Sequence, residues 1–282
     1  MSILSDEQRA FFDDNGYLVL ESVFDDAEVA AMQDEADYIL ELILNSSLAN
    51  QRVSGRLDWR RNGSGTQIVR KIQPINDMSL LFSRVSADER ILGPMREIMG
   101  EDPVLMEEKL NYKQPLPEAV DGFELRDMED SFPIHNDWAY YCAQDYPQTI
   151  LSSALLLDDC TPANGPLRIW PGSHKKHLEH ETVDYGLQVL PHLVDFDGGM
   201  DMLAPAGSFM LFHTLVVHNS HPNSSGAPRR IMIYSHYPES ANKGIDVRNG
   251  PGRLYEGPFE REYMRMKERG QYVDTFRAPV YG

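Results

Sequence analysis

The sequence predicts a mostly β fold with flanking helices, of the sandwich or jelly-roll type. After about residue 102 the chain consists of short apolar or alternating runs separated by turn-rich segments, of which 161–166 (TPANGP) is typical. Strands this short, with no helices of useful length between them, favour a sandwich or jelly roll over alternating β and α units. The predicted strands are 103–112, 132–141, 150–157, 167–170, 200–203, 208–217 and 229–237.

Length and composition favour one large domain. The chain has 282 residues, of which 41% are hydrophobic and 25% charged, so it can form a sizeable core and is not disordered. It contains no internal repeat and no low-complexity linker. We therefore predict a single domain over 1–282, with a helix-rich N-terminal part at 1–101, the β core at about 102–238 and a C-terminal extension at 239–282.

The charge of the chain argues against several functions. Its 26 Lys and Arg against 44 Asp and Glu give a net charge of -18, which repels nucleic-acid phosphates and anionic lipids. Two cysteines, Cys142 and Cys160, are too few for a disulfide framework or a cysteine-rich zinc site. The acidic N-terminus does not resemble a targeting peptide, and no apolar run reaches the ~20 residues of a membrane span. We expect a cytoplasmic protein that binds neither nucleic acid nor membranes, with its oligomeric state open.

The N-terminal part begins with two predicted helices. A capping box of Ser5 and Gln8 starts the first, which ends before Gly16, and 17–20 forms a short strand. From Asp25 onward apolar residues recur at helical spacing between acidic ones, which predicts a long amphipathic helix.

An arginine-rich segment follows at 52–65. Its four arginines lie among three glycines, a composition typical of a loop. Two interpretations stay open, namely a solvated loop tethered by acidic neighbours or a lid over an anionic substrate. Beyond it we predict a strand at 67–73 and a helix at 87–99.

The segment His135-Asn136-Asp137 is the first candidate for chemistry. Residues two apart in a strand project to the same side, so His135 and Asp137 point together and Asn136 points away. An imidazole nitrogen and a carboxylate oxygen side by side supply two corners of a metal site. By itself this pattern is common by chance in a chain with nine histidines.

A second histidine comes from the apolar segment 207–220. A third ligand from a distant strand would complete two histidines and one carboxylate on one face of a metal, an arrangement typical of non-haem Fe(II) oxygenases. His213 and His218 compete for this position, and on a continuous strand only one of them can point inward. Arg229, eleven residues beyond His218 at the start of the next predicted strand, favours His218.

Arg229 has two possible roles. Its guanidinium can form a two-pronged contact with the far carboxylate of a diacid cosubstrate whose other end chelates the metal. The alternative is a surface arginine paired with an acidic side chain. Its neighbour Arg230 points to the opposite face.

The remaining histidines have simpler interpretations. Three of them recur at steps of three in a polar stretch and predict a surface stripe, and three others lack a suggestively spaced carboxylate and are assigned structural roles. The first group is His174, His177 and His180, and the second is His192, His221 and His236.

Taken together, these motifs resemble the phytanoyl-CoA dioxygenase family of Fe(II)- and 2-oxoglutarate-dependent oxygenases, which includes the ectoine hydroxylases. The similarity runs from Leu4 to about Pro238. The order and spacing of four stretches carry it: 11–20 with its Asn15-Gly16-Tyr17 turn; 133–137; 164–167 followed by 171–174; and His218-Asn219-Ser220 with Arg229.

The resemblance implies a double-stranded β-helix core, which is a cupin-like jelly roll. It implies three iron ligands: His135, Asp137 and His218. It also places five residues at or near 2-oxoglutarate: Arg229 as the carboxylate anchor, Ser220 as its helper, Asn111 as a further contact, and Trp138 and Tyr141 close to cosubstrate and substrate. For the two aromatic residues, ordinary core packing is the alternative.

The activity implied by the resemblance uses Fe(II), 2-oxoglutarate and O2 to hydroxylate a small-molecule metabolite or natural product, with release of succinate and CO2. Because Asp137 occupies the carboxylate position, hydroxylation is favoured over halogenation, while desaturation, epoxidation and cyclisation stay open. A non-catalytic jelly-roll binding protein is an alternative that the complete motif set disfavours. A zinc hydrolase gives no reason for Arg229.

Overall fold

The computed structural model of the protein describes residues 3–184, 186–242, 259–272 and 274–276. The helices are α1 (Asp6–Asn15), α2 (Asp26–Ala49), α3 (Leu80–Val85), α4 (Glu89–Met99), α5 (Trp138–Tyr141) and α6 (Phe259–Glu268). The strands are β1 (Tyr17–Leu20), β2 (Leu57–Arg61), β3 (Gln67–Ile72), β4 (Pro103–Pro115), β5 (Arg126–Asp127), β6 (Phe132–His135), β7 (Leu151–Leu156), β8 (Leu167–Ile169), β9 (His180–Val183), β10 (Gly186–Val189), β11 (Met200–Asp201), β12 (Phe209–His213), β13 (His218–Ser220) and β14 (Ile231–Pro238).

Two sheets form the jelly-roll core. The larger has eight strands in the order β1-β12-β7-β14-β4-β3-β2-β5, and the smaller has four in the order β11-β8-β13-β6. The central pairs are antiparallel and join strands that are far apart in the chain. Both sheets contribute side chains to one cavity between them. The prediction of a mostly β, double-stranded β-helix fold is therefore confirmed.

The helices cover the outer face of the large sheet. On β4, Leu110 and Tyr112 are fully buried in the core cluster that includes α2, and the Tyr112 hydroxyl donates to the Ala36 carbonyl of α2 at 2.7 Å. Because side chains alternate along a strand, their neighbours Lys109 and Asn111 point to the other face, into the cavity. This alternation separates the hydrophobic core from the site.

The predicted N-terminal elements are confirmed. Ser5 and Gln8 form the expected capping box of α1, and Asp25 caps α2 in the same way. Gly16 ends α1 with φ 79°, where a side chain would be strained and would also overlap the His174 ring. None of the helices in the described part of the chain has the length and apolarity needed to cross a bilayer.

The interpretation of 52–65 as a loop is wrong in the middle of the segment. β2 occupies Leu57–Arg61 and pairs with β3, with Leu57 and Trp59 buried on one side of the strand. Arg56 is buried rather than part of a lid, and it forms ion pairs with Asp77 at 2.6 Å and with Glu260 at 3.3 Å. The strand was not recognised in the sequence because only two apolar residues, Leu57 and Trp59, mark its alternation among the arginines.

Two further predictions need correction. The run 132–141 is a strand only as far as His135, and helix α5 follows. The β9–β10 hairpin lies in a polar stretch that had no strand signal.

In the predicted C-terminal extension, α6 contacts α2, and the Asn45 side chain of α2 accepts hydrogen bonds from backbone N–H groups at 275 and 276.

Candidate metal and cosubstrate site

Strand pairing brings together the two histidines of the predicted metal site. His135 ends β6 and His218 begins β13, and they are direct partners in the antiparallel register, with ring centroids 4.4 Å apart. Asp137 lies beyond the strand, at the start of α5 with φ -64° and ψ -33°, so a helical turn rather than strand alternation directs its carboxylate. The Nε2 atoms of both histidines lie 3.7 Å from Asp137 Oδ1. One ligand atom from each of the three buried residues lies within 4.8 Å of the others.

Backbone carbonyls orient both imidazole rings. Nδ1 of His135 lies 2.7 Å from the Pro133 carbonyl oxygen, and Nδ1 of His218 lies 3.0 Å from that of Val216. Since a carbonyl oxygen only accepts, each Nδ1 carries the proton and each Nε2 presents a lone pair to the centre of the cluster. These contacts prepare both rings as metal ligands.

Burial and neighbouring charges select the ligand forms of these groups. Burial, reinforced by the nearby His218 ring, lowers the pKa of His135 to about 3, so that His135 is neutral. Burial alone would raise the pKa of Asp137, but Lys109 and the two histidines outweigh it and lower that pKa. Asp137 is therefore an anion, as a hard metal requires.

His213 lies outside this cluster. It ends β12, and the chain leaves the strand before β13 begins, so the continuous strand expected over 208–217 is wrong. The Leu215 N–H donates to His213 Nδ1 at 3.2 Å, and the His213 ring packs against His174 at 5.6 Å. The structure thus brings His218, and not His213, beside His135.

Arg229 is buried two residues before β14, with 2% of its surface exposed, and it lines the cavity. Among the described residues, no hydrogen-bond or ion-pair partner meets its guanidinium, and Nε is buried without one. Burial lowers its pKa. The surface-arginine alternative is excluded, whereas Arg230 points away, as expected, and pairs with Asp158 at 2.7 Å and Asp37 at 2.9 Å.

The cavity has a volume of about 1090 Å³ and extends from the histidine cluster to Arg229. Asn111 and Ser220 line it, and the buried Oδ1 of Asn111 has no partner among the described residues. Tyr141 also lines it, and its hydroxyl donates to Glu107 Oε1 at 2.7 Å. Trp138 packs against the His177 ring at 4.7 Å and donates from Nε1 to the Tyr146 carbonyl at 3.2 Å.

The surface stripe of histidines is wrong for two of its members. His180 Nε2 accepts from the backbone N–H of Asn136 at 3.1 Å, and His177 Nδ1 lies 3.3 Å from the Asn136 side-chain nitrogen. His177 lies in an irregular segment and His180 in β9, so their spacing of three does not place them on a helix face. They hold the segment between His135 and Asp137 and were missed because no local pattern reveals this contact.

Sequence reasoning also missed several polar or charged residues that share the cavity with Asn111. They are Lys71, Gln73, Glu107 and Lys109. Alternation along β4 gave a usable signal, because 107 and 109 fall on the same side of a strand as 111.

The donor set suits a resident iron. Two imidazole nitrogens and one carboxylate on one face leave further coordination positions open. In the same cavity, the buried Arg229 guanidinium, which has no partner among the described residues, suits a carboxylate of a diacid. Jelly-roll fold and site together define a non-haem Fe(II)- and 2-oxoglutarate-dependent oxygenase.

Comparison with known proteins agrees. The model of the phytanoyl-CoA dioxygenase (PhyH) family matches residues 12–231, which is well over half of the chain. The chain therefore belongs to the PhyH family.

The relatives use the same chemistry. The ectoine dioxygenase of Sphingopyxis alaskensis is 27% identical over 303 residues, covering 98% of this chain and 90% of its own. A probable alpha-ketoglutarate-dependent hypophosphite dioxygenase of Stutzerimonas stutzeri is 26% identical, covering 82% and 77%. The crystal structure of EctD from S. alaskensis with 2-oxoglutarate and 5-hydroxyectoine is 25% identical with a TM-score of 0.65, covering 92% and 89%. The chain is thus a dioxygenase, an oxidoreductase that uses Fe(II), 2-oxoglutarate and O2 on a small-molecule substrate.

Proposed function

We propose that His135, Asp137 and His218 hold Fe(II), and that Arg229 anchors 2-oxoglutarate while an ectoine-like small molecule is hydroxylated. One observation carries this proposal: three ligand atoms within 4.8 Å of one another share a cavity with a buried guanidinium that has no partner among the described residues.

The cosubstrate half of the cavity suits a dicarboxylate. Arg229 offers two parallel N–H donors for the distal carboxylate, and Ser220 adds a hydroxyl to the lining of the same cavity. Ile231 and Ile233 line the same cavity and suit a methylene chain. Asn111 is a further polar contact of the cosubstrate.

When bound, Fe(II) supplies the activation of O2 that couples decarboxylation of 2-oxoglutarate, with release of succinate and CO2, to oxidation of the substrate. This chain places and insulates that chemistry. The carbonyls of Pro133 and Val216 fix the two imidazole rings, and the Ser152 hydroxyl donates to Asp137 Oδ2 at 3.4 Å. Burial of all three ligand residues keeps bulk water from them.

The proposed substrate class follows from the relatives and the space. Several relatives are named ectoine dioxygenases, and one related structure contains 5-hydroxyectoine. A cavity of about 1090 Å³ accommodates a small metabolite beside 2-oxoglutarate. In this proposal Tyr141 belongs to the aromatic wall on the substrate side, whereas Trp138, which does not line the cavity, supports that wall through its hydrogen bond to the Tyr146 carbonyl.

The proposal extends to the whole chain. The helix-rich part at 1–101, the core at about 102–238 and the extension at 239–282 act as one catalytic domain, as the contact of α6 with α2 supports. The cytoplasmic location predicted from the sequence is part of this proposal.

Anaerobic titration of the purified protein with Fe(II) and 2-oxoglutarate tests the proposed roles. We expect the weak visible absorption of a metal-bound 2-oxo acid, and we expect it to disappear in His218→Ala and in Asp137→Ala. His213→Ala is the matched control, because this histidine lies on the neighbouring strand outside the cluster, and its absorption should be unchanged. Loss of iron from His213→Ala with retention in His218→Ala would reverse the ligand assignment.

A further inference from the structure

The C-terminal extension places one carboxylate in the interior of the protein. Glu260, in the first turn of α6, is 3% exposed, although it lies beyond the residues 12–231 that match the family model. A glutamate is almost never buried to this extent unless it is paired. Its partners therefore show which part of the molecule the extension supports.

Glu260 is held by the segment that leads into β2. The Ser54 hydroxyl donates to Glu260 Oε1, and Arg56 Nε lies 3.3 Å from Glu260 Oε2. The Arg56 guanidinium is itself buried, and its two terminal nitrogens donate to the Asp77 carboxylate at 2.6 and 2.7 Å. One of them also donates to the Pro74 carbonyl at 2.8 Å. A single guanidinium thus joins α6 to the start of β2 and to the turn after β3.

The backbone of Arg56 belongs to the cavity wall. Its carbonyl accepts from the Gln73 N–H at 2.9 Å, which extends the β2–β3 ladder one pair beyond Leu57 and Ile72. The Gln73 side chain lines the cavity, and so does that of Asp58, two residues after Arg56. A displacement of Arg56 would therefore move side chains of the cavity on both strands.

The turn after β3 is also attached to β4, the next strand of the wall. The backbone N–H groups of Ile75 and Asn76 donate to Oε1 of the fully buried Glu108 at 3.2 and 3.0 Å. Glu108 lies in β4 between two residues that line the cavity. Because Asp77 directly follows Asn76, the turn is held by β4 on one side and by the Arg56 guanidinium on the other.

Helix α6 has further attachments that do not involve Glu260. It contacts α2, and its Tyr263 side chain is buried. The Asn45 side chain of α2 accepts from the backbone N–H groups at 275 and 276 at 2.7 and 2.8 Å. These contacts hold the extension on α2, so the pairing of Glu260 with Arg56 is not required to dock the helix.

We propose that Glu260 is a positioning residue of the active site, which acts through Arg56 on the cavity wall formed by β2 and β3. Because a buried charge is costly without a partner, removing one of the two carboxylates weakens the hold on Arg56. In the large sheet, β2 and β3 lie on the far side of β4 from β14, the strand that follows Arg229, so this wall is remote from the cosubstrate anchor. The inference rests on the proposed function, because it concerns the same cavity.

Hydrogen exchange measures the effect on the wall directly. Glu260→Gln keeps the shape of the side chain and an acceptor for the Ser54 hydroxyl, but it removes the charge. We expect the backbone amides of β2 and β3 to exchange about tenfold faster in this variant, and those of α4 and β1 to be unchanged. Glu268→Gln is the matched control, because it removes the same charge from an exposed position of the same helix, and it should exchange as wild type.

A double-mutant cycle separates an action through Arg56 from an independent structural role. Glu260→Gln, Arg56→Gln and the double variant are compared by KM for ectoine, read as succinate release with Fe(II) and 2-oxoglutarate present. We expect Glu260→Gln to raise that KM about fivefold, and the double variant to raise it no more than Arg56→Gln alone. The kcat and the KM for 2-oxoglutarate should stay nearly unchanged in Glu260→Gln, whereas a loss of folded protein would lower kcat and leave KM as it is.

The outcomes are distinguishable. Absence of the metal-bound 2-oxo acid absorption in the wild type, or of any stimulation by ectoine, would count against the proposed function, and hydrogen exchange would still decide whether Glu260 holds the wall. The inference is overturned if β2 and β3 exchange at the wild-type rate in Glu260→Gln, if the two single effects on KM add up in the double variant, or if Glu260→Gln lowers only kcat. Should Arg56→Gln fail to fold, the exchange of Glu260→Gln against Glu268→Gln decides alone.

Discussion

Replacing Arg229 by glutamine should weaken cosubstrate binding and stabilise the ligand-free protein at the same time. The guanidinium is 2% exposed and has no ion-pair partner among the described residues. A buried charge without a partner costs several kcal/mol, partly relieved by the cavity that it faces. We therefore expect Arg229→Gln to stabilise the ligand-free protein by about 1–2 kcal/mol, or a rise in Tm of roughly 2–5 °C.

The effect on 2-oxoglutarate has the opposite sign. Removing one partner of a buried, hydrogen-bonded charge pair costs about 2–5 kcal/mol, which corresponds to a Kd for 2-oxoglutarate raised about 30-fold to 4,000-fold. Since a ligand stabilises the folded state in proportion to the logarithm of its concentration over Kd, the upward shift of Tm on adding 2-oxoglutarate should nearly vanish in the variant.

Thermal unfolding with and without 2-oxoglutarate, with Fe(II) present throughout, measures both effects. Arg230→Gln is the matched control, because this arginine points away from the cavity and forms ion pairs with Asp158 and Asp37. It should lower Tm and keep the shift caused by 2-oxoglutarate. A variant Arg229→Gln that retains this shift, or that is less stable than wild type without ligand, would refute the anchor role and the reasoning from an unpaired charge.

Two further predictions concern other histidines. Burial lowers the pKa of His236 to about 4, so the folded state favours the neutral ring, while the unfolded chain binds a proton below about 6.5. The stability due to His236 is complete above about pH 6.5 and should fall by about 3 kcal/mol as the pH drops towards 4. Urea unfolding at a series of pH values should show that the free energy of unfolding of His236→Gln depends less on pH than that of the wild type. An equal pH dependence in both proteins would contradict the assignment. His180→Ala removes the acceptor of the Asn136 backbone N–H, and Fe(II) titration should show an affinity lowered about tenfold, whereas an unchanged affinity would exclude a role in holding the ligand segment.

Local interactions explain which elements could be predicted from the sequence. The capping box of Ser5 and Gln8 and the periodic apolar face of α2 depend on residues within a few positions of one another, and both were predicted correctly. The juxtaposition of His135 and Asp137 was also predicted, although a turn into α5 produces it instead of strand alternation. The motif order and spacing sufficed to indicate the family.

Where packing overrides composition, the predictions were wrong. The arginine-rich composition of 52–65 concealed β2, because a strand is stabilised by its pairing with β3 and by burial of Leu57 and Trp59. His177 and His180 received a surface assignment because their contact with Asn136 spans more than forty residues of chain.

The amino-acid order alone therefore determined the ligand types, the alternating strands and the class of chemistry. Only the tertiary structure decided that His218 pairs with His135 and that Arg229 is buried in the cavity with no counter-ion among the described residues. The physical reason is that strand pairing across distant segments and the removal of charges from water depend on the whole packed molecule, whereas helix caps and alternation depend on near neighbours.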